Sequence, residues 1–260
     1  MFELLPEIVS NQRITEDIWL MALRSAEIAR TAKPGQFVMI RIKTALDPFL
    51  RRPFSICGVT EDRFLVLYRV VGKGTSLMTR LKEGESLAVL GPLGKGFREP
   101  EKPMDRVLVA GGIGIAPLLF LSRLHREKDV TFMAGFRSAK DILFPQKITG
   151  EDRDCRVATD DGTQGHCGPV TDLLEERIRK NPEGLSVYAC GPKPMLRKVA
   201  EMTLALGIPC QVSLEARMAC GLGACQGCAI KASPQSGRSY VYVCQEGPVF
   251  DAEEVDWETI

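Results

Sequence analysis

Four of the nine cysteines stand near the C-terminal end of the sequence, where their spacing could support metal chemistry. Cys220, Cys225 and Cys228 follow the pattern C-x4-C-x2-C, and 15 residues separate the third of them from Cys244. Plant-type iron–sulfur ligands have this spacing, with a distal fourth cysteine. Glycines between these cysteines would let backbone N–H groups approach the sulfurs as four thiolates converge on two irons. The pattern therefore predicts a [2Fe-2S] cluster with these four cysteines as metal ligands.

A structural zinc site is the main alternative for the same cysteines. Such a site usually presents two pairs of the form C-x2-C, whereas Cys225 and Cys228 form the only pair of that kind in this group. The other five cysteines are scattered along the chain, and a buried, inert thiol is their ordinary interpretation. The spacing favours an iron–sulfur cluster over zinc and over disulfides.

A second candidate site begins with the run VLVAGGIGIAP at 107–117, which has the pattern of a buried strand, a glycine turn and a helix. Gly112 and Gly114 fit the first part of a dinucleotide fingerprint, and Pro117 stands where a third glycine would be expected. Glycines here, including Gly111, would let the backbone approach a pyrophosphate, and a proline in the first helical turn removes no needed donor. An ordinary tight turn is the alternative.

Two further strand ends add to this candidate site. The run VYACGP ends in Cys190, Gly191 and Pro192 and is followed by a helical pattern. Junctions of this kind meet at the carboxyl edge of a parallel sheet, where such folds bind ligands. Asp160 and Asp161 follow another strand, and their carboxylates would repel a 2′-phosphate, which favours NAD over NADP. A solvated turn is the alternative for this acidic pair.

A third candidate site lies in the N-terminal part of the chain. Arg52, Phe54 and Ser55 fall together in the run RRPFSI, and the turn GKGT follows at 72–75. A guanidinium offers a fork of donors and the turn offers backbone N–H groups, which together could hold a pyrophosphate. Arginines at strand ends are common, so these residues alone permit a flavin without requiring one.

The elements that must position these residues change character along the chain. Up to about residue 100, short β-rich runs alternate with turn signals, which predicts a small antiparallel barrel with one helix capped by Ser76. After the charged linker at 98–105, strands alternate with helices at Ala116–Glu127, Val170–Arg179 and Pro194–Leu206, which predicts a parallel sheet. We expect domains at 1–100, 101–212 and 213–260, the last containing the cysteines and a short β-run.

Composition limits the classes of function. Lys and Arg number 34 against 33 Asp and Glu, so no basic field is present to attract nucleic acid or an anionic membrane. The longest run without polar side chains, 107–121, is shorter than a membrane span, and Glu3 and Glu7 do not suit a signal peptide. We expect a cytoplasmic protein. No catalytic triad can be argued from His125 and His166.

The order of the three sites resembles that of the ferredoxin-reductase superfamily over essentially the whole chain. In that superfamily a flavin-binding barrel with R-x-[YF]-[ST] precedes a nicotinamide domain with G-G-x-G-x-x-P and C-G-P; these stand here at 52–55, 111–117 and 190–192. The run LEARMACGLGACQGCAI at 214–230 is similar to the electron-transfer subunit of the NAD-dependent dihydroorotate dehydrogenases. The related small subunit of NADH-dependent ferredoxin:NADP oxidoreductases has aspartate at the position of Cys220, and oxygenase reductases have a longer gap to the last cysteine.

This resemblance implies a function in pyrimidine biosynthesis. An FMN-containing partner subunit would oxidise dihydroorotate, and the electrons would pass through the [2Fe-2S] cluster to FAD and then to NAD⁺. Two heterodimers would form a heterotetramer. A stand-alone reductase that serves a ferredoxin or an oxygenase shares every motif and remains an alternative, as does a zinc-stabilised module without electron flow.

The resemblance also implies roles for individual residues. Ser55, near the reactive N5 edge of the flavin, and Cys190, close to the nicotinamide, would be the catalytic residues. The expected flavin-binding residues are Arg52, Pro53, Phe54, Ser55, Arg69, Val70, Val71, Gly74 and Thr75. The expected NAD-binding residues are Gly111, Gly112, Gly114, Pro117, Asp160, Cys190, Gly191 and Pro192.

Overall fold

The N-terminal part of the chain forms a seven-stranded antiparallel sheet. The structure, a computed structural model, describes residues 1–42, 47–125, 130–150 and 154–259. In chain order the strands are β1 (Phe2–Leu4), β2 (Glu7–Arg13), β3 (Ile18–Arg24), β4 (Phe37–Arg41), β5 (Arg52–Val59), β6 (Arg63–Arg69) and β7 (Ala88–Leu93), and their spatial order is β1-β7-β4-β5-β6-β3-β2. Two short helices, α1 (Ala26–Thr31) and α2 (Lys73–Met78), complete this part.

Hydrogen bonds close this sheet into a barrel, as the sequence predicted. The N–H of Ile8 in β2 donates to the carbonyl of Glu85 at 2.7 Å. The backbone of Glu7 also pairs with that of Ser86, just before β7, in an antiparallel β-bridge. Apolar side chains that alternate along the strands fill the interior. Phe120, from the part of the chain that follows the barrel, also packs into this interior core.

The prediction that Ser76 caps the short helix was wrong. The helix begins at Lys73 after the N-cap residue Gly72, so Ser76 lies inside it. The hydroxyl oxygen of Thr75 accepts the N–H groups of Val71 and Gly72 at 3.0 and 3.2 Å. A threonine in the first turn thus satisfies these donors in place of a capping serine.

The second sheet is parallel, as predicted, except for its last strand. Its strands are β8 (Asp105–Gly111), β9 (Val130–Phe136), β10 (Arg156–Thr159), β11 (His166–Cys167), β12 (Leu185–Cys190), β13 (Cys210–Ser213) and β16 (Val249–Asp251), in the order β11-β10-β9-β8-β12-β13-β16. The helices are α3 (Ile115–Ser122), α4 (Pro145–Thr149), α5 (Val170–Lys180) and α6 (Lys193–Leu204). The antiparallel strand β16 pairs with β13, so the cysteine-containing segment also contributes to this sheet.

The helix predicted at Ala116–Glu127 is shorter in the structure. It ends at Ser122, and Glu127 lies outside the described residues. The N–H of Leu124 donates to the carbonyl of Leu121 at 3.1 Å. This hydrogen bond joins residues three apart, so a tighter turn replaces the α-helical bonds between residues four apart. Among the described residues, no helix is long and apolar enough to cross a membrane.

The three parts of the chain share their cores. The outer face of the barrel packs through Phe37, Met39 and Leu93 into one core with β8, β12 and the cysteine segment. A separate hairpin of β14 (Ala229–Lys231) and β15 (Tyr240–Tyr242) belongs to that segment. The charged linker is also fixed, because Arg98 and Gln211 exchange two hydrogen bonds of 2.9 Å.

Candidate functional site

A cavity of about 510 Å³ lies against the outer face of β4 and β5. It is called the first cavity here. Nearly all of the predicted flavin-binding residues line it, and so does Cys190. These residues are Arg52, Pro53, Phe54, Ser55, Arg69, Val71, Gly74, Thr75 and Cys190. Val70 does not line it and packs instead against the interior of the barrel.

The polar end of the first cavity is built by β5 and the turn before α2. A Cβ placed on Gly74 would lie 3.6 Å from Nε of Arg52, so the arginine side chain rests directly against the turn. Thr75 fixes that turn through the N–H groups it accepts. The guanidinium thus lies beside a turn whose glycine leaves space that a larger residue would fill. This arrangement fits a phosphate group. At the other end, β4–β5 pairing places Ser55 opposite Phe37, whose ring also lines the cavity.

A second cavity of about 710 Å³ opens at the carboxyl ends of the parallel strands. It is called the second cavity here. The sequence-predicted residues that line it are Gly111, Gly112, Gly114, Asp160, Gly191 and Pro192. Pro117 lines neither cavity, because it is buried inside α3. Parallel sheets of this kind bind ligands at this edge.

Two glycine turns meet tightly at the base of the second cavity. A Cβ on Gly114 would lie 2.3 Å from the carbonyl oxygen of Cys190, and one on Gly111 would lie 2.5 Å from Cδ of Pro192. No larger residue fits at either position without a shift of the backbone. The glycines therefore allow the β8–α3 and β12–α6 junctions to form one concave surface for a ligand.

The acidic pair divides into two different environments. Asp160 lines the second cavity. The carboxylate of Asp161 instead accepts the hydroxyl of Thr163 at 2.6 Å and its N–H at 3.0 Å, and these hydrogen bonds hold the pKa of Asp161 below its usual value. Asp161 thus stabilises its own loop, and of the pair only Asp160 lines the second cavity. Arg137 also lines this cavity and was not predicted.

Glu215 and Arg69 line both cavities and mark the place where they meet. Nε of Arg69 lies 3.1 Å from Oδ2 of Asp17, and its Nη2 would be 3.7 Å from a Cβ on Gly112. Desolvation raises the pKa of Glu215, and the Arg69 charge opposes that shift. Sequence reasoning missed Glu215, although it follows the end of β13 as Asp160 follows β10. The same strand-end rule would have found it.

Cys190 is a neutral thiol at this junction. Its side chain is 3% exposed, and desolvation, followed by the Glu215 charge, raises the pKa of the thiol to about 12. A group with that pKa supplies neither a nucleophile nor a base near neutral pH. Neither histidine lines the two cavities, since His125 pairs with Glu99 and His166 with Asp172.

The four C-terminal cysteines are arranged as two pairs. Sγ of Cys228 lies 3.2 Å from Sγ of Cys244, and both side chains are buried. The N–H of Cys225 donates to Sγ of Cys220 at 3.4 Å, and this second pair lies nearer the surface. Among the described residues, no three His, Cys, Asp or Glu side chains converge on one metal ion. Two separate thiol pairs fit a two-iron cluster better than a single tetrahedral zinc.

Backbone N–H groups surround these sulfurs. The N–H of Leu222 donates to Sγ of Cys220 at 3.3 Å, and that of Gly223 donates to Sγ of Cys244 at 3.1 Å. Desolvation disfavours the Cys220 thiolate, but the N–H groups of Leu222 and Cys225 outweigh it and lower the pKa to about 7. These N–H groups therefore favour the thiolate of Cys220, the form in which cysteine binds metal, whereas desolvation and the neighbouring Cys228 thiol raise the pKa of Cys244 to about 12.

The barrel and the following parallel sheet define a ferredoxin-reductase-like oxidoreductase with an added iron–sulfur domain. The family model described as the iron–sulfur cluster binding domain of dihydroorotate dehydrogenase B matches residues 215–256, and the oxidoreductase NAD-binding domain matches 108–201. A solved structure described as an NADH-dependent reduced ferredoxin-NADP oxidoreductase superposes with a TM-score of 0.84 at 29% identity, covering 98% of this chain and 91% of the other. Phthalate dioxygenase reductase superposes with a TM-score of 0.62 at 19% identity over 94% of this chain and 77% of its own.

Sequence relatives give the particular family. The dihydroorotate dehydrogenase B (NAD(+)) electron transfer subunit of Caldanaerobacter subterraneus subsp. tengcongensis is 41% identical over 249 residues, which is 95% of this chain and 96% of that protein. The corresponding subunit of Bacillus velezensis is 41% identical over 254 residues with the same coverage. The chain belongs to the family of dihydroorotate dehydrogenase B electron transfer subunits.

Proposed function

We propose that this chain carries electrons from dihydroorotate, oxidised on an FMN-containing partner subunit, to NAD⁺ through a [2Fe-2S] cluster and FAD. The observation that carries this proposal is the continuity of the three sites. The two cavities share Arg69 and Glu215, and Met218 of the cysteine segment lines the first cavity. FAD, when bound, would supply the conversion between one-electron transfer and hydride transfer.

The first cavity is the proposed flavin site. Arg52 and the turn at Gly74 and Thr75 would hold the pyrophosphate. Pro53 and Phe54 would lie along the flavin, and Ser55 would donate its hydroxyl proton to the ring near its reactive edge. Arg69, Val70 and Val71 remain proposed flavin neighbours, although Arg69 also reaches the second cavity.

The second cavity is the proposed NAD site. Gly111, Gly112 and Gly114 with Gly191 and Pro192 would receive the pyrophosphate, while Pro117 would hold the start of α3 behind them. Asp160 would accept hydrogen bonds from the adenosine ribose and disfavour a 2′-phosphate. Cys190 would pack against the nicotinamide as a neutral thiol, and Glu215 would orient it from the opposite side of the junction.

The loop at 220–228, called the cysteine loop, is the proposed site of the cluster and of contact with the partner. Cys220, Cys225, Cys228 and Cys244 would be the ligands. Of these, Cys220 and Cys225 lie nearer the surface. Leu222, between the ligands of that pair, keeps 45% of its side chain exposed. An apolar side chain beside the outer ligands suits a protein interface, and two such heterodimers would form a heterotetramer.

The limits of the parts and their location belong to the same proposal. We propose a flavin domain at 1–100, an NAD domain at 101–212 and a cluster domain at 213–260, with β16 of the last crossing into the second sheet. A cytoplasmic location suits a cluster that needs reduced thiols.

Anaerobic co-purification with an FMN-containing dihydroorotate dehydrogenase subunit tests the function. Flavin and cluster absorbance should decrease on addition of dihydroorotate only in the complex and recover on addition of NAD⁺. Absorbance that responds to NADH but not to dihydroorotate, even in the complex, would move the chain to the alternative of a reductase with another acceptor. A colourless protein with stoichiometric zinc would contradict both the proposed function and the alternative of a reductase with another acceptor.

A further inference from the structure

Met39 of the barrel lies directly against Gly221 of the cysteine loop. A Cβ placed on Gly221 would lie 2.6 Å from Cγ and 3.1 Å from Sδ of Met39. Gly221 directly follows the proposed ligand Cys220, and its φ of +74° is one that side chains rarely adopt. The loop can therefore approach Met39 this closely only with glycine at that position. Met39 is fully buried, so the contact is closed to solvent.

The same face of the barrel forms the wall of the first cavity. Side chains alternate along β4, so Phe37 and Met39 share the outer face of the strand. Their partners on β5 are Ser55 and Pro53 respectively. Phe37, Pro53 and Ser55 line the cavity, and Met39 lies beside them without reaching it. One layer of side chains thus separates the proposed flavin site from the cysteine loop.

Met218 supports this arrangement from the loop side. It stands two residues before Cys220, lines the first cavity and packs against the core that contains Met39. The segment that enters the cysteine loop is therefore in contact with the cavity wall. Any outward movement of the loop would change the separation between the loop and the cavity.

We propose that Met39 is a positioning residue that sets the separation between cluster and flavin by seating the cysteine loop on the wall of the flavin cavity. The inference rests on the proposed function, because both groups must bind. Met39 would touch neither group. Electron tunnelling rates fall with distance. Loss of the contact between Met39 and the cysteine loop should therefore slow electron transfer between flavin and cluster and leave hydride transfer unchanged.

The two steps can be separated with NADH as the reductant. NADH transfers a hydride to the flavin, which gains two electrons, and leaves as NAD⁺. One electron then passes from the reduced flavin to the oxidised cluster, and the other stays on the flavin until a further acceptor takes it. Only the second step crosses the layer that contains Met39.

The test mixes the FAD- and cluster-loaded chain rapidly and anaerobically with NADH. Flavin and cluster absorbance are followed separately, and the electron paramagnetic resonance spectrum of the reduced cluster checks its assembly. In Met39→Ala, cluster reduction should be several-fold slower than in the parent, because an outward shift of the loop lengthens the path that the electron crosses. Flavin reduction should keep its parental rate. Met39→Leu, which conserves volume, should retain most of the rate of cluster reduction.

Ile40→Ala is the matched control, because Ile40 is equally buried on the same strand but faces the interior of the barrel. It should leave cluster reduction unchanged. Gly221→Ala should slow cluster reduction, and Met39→Ala combined with it should recover part of the loss, since the shorter side chain makes room for the new Cβ.

Different outcomes separate the two proposals. A loaded Met39→Ala protein that reduces its cluster at the parental rate, or an equal loss in Ile40→Ala, would overturn the positioning role and leave the proposed function intact. A parent chain that binds no flavin or no cluster would overturn the proposed function, and the positioning role with it.

Discussion

Ser55 is a residue whose proposed role can be tested without removing a cofactor. Ser55 lines the first cavity, and strand pairing places it opposite Phe37. Ser55→Ala should retain FAD and slow flavin reduction by NADH by about 100-fold, the usual cost of one lost donor to a developing charge. Rapid-mixing absorbance measures this rate. Ser186→Ala, at a buried serine that lines neither cavity, is the control. An unchanged rate in Ser55→Ala would refute the role.

The choice between NAD and NADP should depend on one carboxylate of the acidic pair. Asp160 lines the second cavity, whereas Asp161 is engaged by Thr163. Asp160→Ser removes a charge that repels the 2′-phosphate, so the ratio of kcat/KM for NADH over NADPH should fall by about tenfold, or roughly 1.4 kcal/mol. Asp161→Asn should leave that ratio unchanged. Equal ratios in both variants would contradict the assignment of Asp160 to the ribose.

Glu215 should make stability depend on pH in a particular direction. Because its pKa in the folded chain is raised above 4.5, the folded state holds the proton more readily than the unfolded state. Its contribution to stability is therefore present below pH 4.5 and is lost as pH rises through the folded pKa. Thermal unfolding midpoints should show Glu215→Gln more stable than the parent near neutral pH, with a gap that closes toward acid.

The change at Glu215 should be small, because the side chain keeps an exposed face and Arg69 opposes the desolvation. Glu183→Gln, at an exposed surface carboxylate, serves as the control. A gap that stays constant between acid and neutral pH would show that the raised pKa of Glu215 is not linked to folding.

Most of the residues that the sequence assigned to cofactors do line a cavity, because glycines, prolines and arginines at strand ends carry local information. It missed residues whose importance arises from contact between distant elements. Glu215 matters because two cavities meet there, and Met39 matters because a loop far along the chain rests on it. The strand-end position of Glu215 could have been read from the sequence, whereas its place between two cavities and the contact at Met39 could not, because they join elements distant in sequence.

At the scale of elements, the β8–α3 junction depends on a steric requirement at Gly114. Its φ of −60° is ordinary, so only space excludes a side chain. A Cβ there would lie 2.3 Å from the carbonyl oxygen of Cys190, which is backbone and cannot move alone. Gly114→Ala should therefore push the two turns apart and raise the Kd for NADH by at least about tenfold, while FAD stays bound. Titration of the oxidised chain with an unreactive NADH analogue would measure this.

Gly184→Ala provides the comparison for that junction. Gly184 has a φ of +67° with nothing within 4 Å, so alanine there should lower stability by about 1 kcal/mol and leave nucleotide affinity unchanged. A loss of affinity in this variant equal to that in Gly114→Ala would attribute the effect to general destabilisation.

The elements themselves were predicted where the hydrophobic pattern was long. The strands that end at Gly111 and Cys190 were predicted from the runs VLVAGG and VYACGP, because continuous apolar runs bounded by turn signals are typical of buried parallel strands. Ends were less certain, as at Ser76 and at the C-terminus of α3, since capping depends on side-chain bonds that several residues can make. The short elements α4 and β11 carry too little pattern to be recognised.

At the scale of the whole molecule, the charged run at 98–105 predicted a linker between two parts of the chain, and the structure shows contacts that hold its first residue in place. Arg98 bonds to Gln211 of β13 and forms an ion pair with Asp251 of β16. Tyr188 also donates its hydroxyl proton to the carbonyl of Arg98 at 3.2 Å. Prolines and charges indicated a boundary, whereas the contacts that fix its ends come from residues distant in sequence.

The barrel joins both other parts through buried surfaces, and this should make the chain unfold as one unit. Ile18, Cys57 and Leu67 of the barrel lie in a core with β8 and α3, while Phe37 and Met39 lie in another with the proposed cluster ligands Cys228 and Cys244. Independent domains would expose these residues when one of them unfolds, at a cost of about 1.5–3 kcal/mol for each large side chain. Calorimetry of the FAD- and cluster-loaded chain should therefore give a single transition, with flavin release and cluster bleaching at the same temperature. A separate, earlier transition in which FAD leaves while the cluster remains intact would mean that the shared cores do not couple the barrel to the cysteine segment.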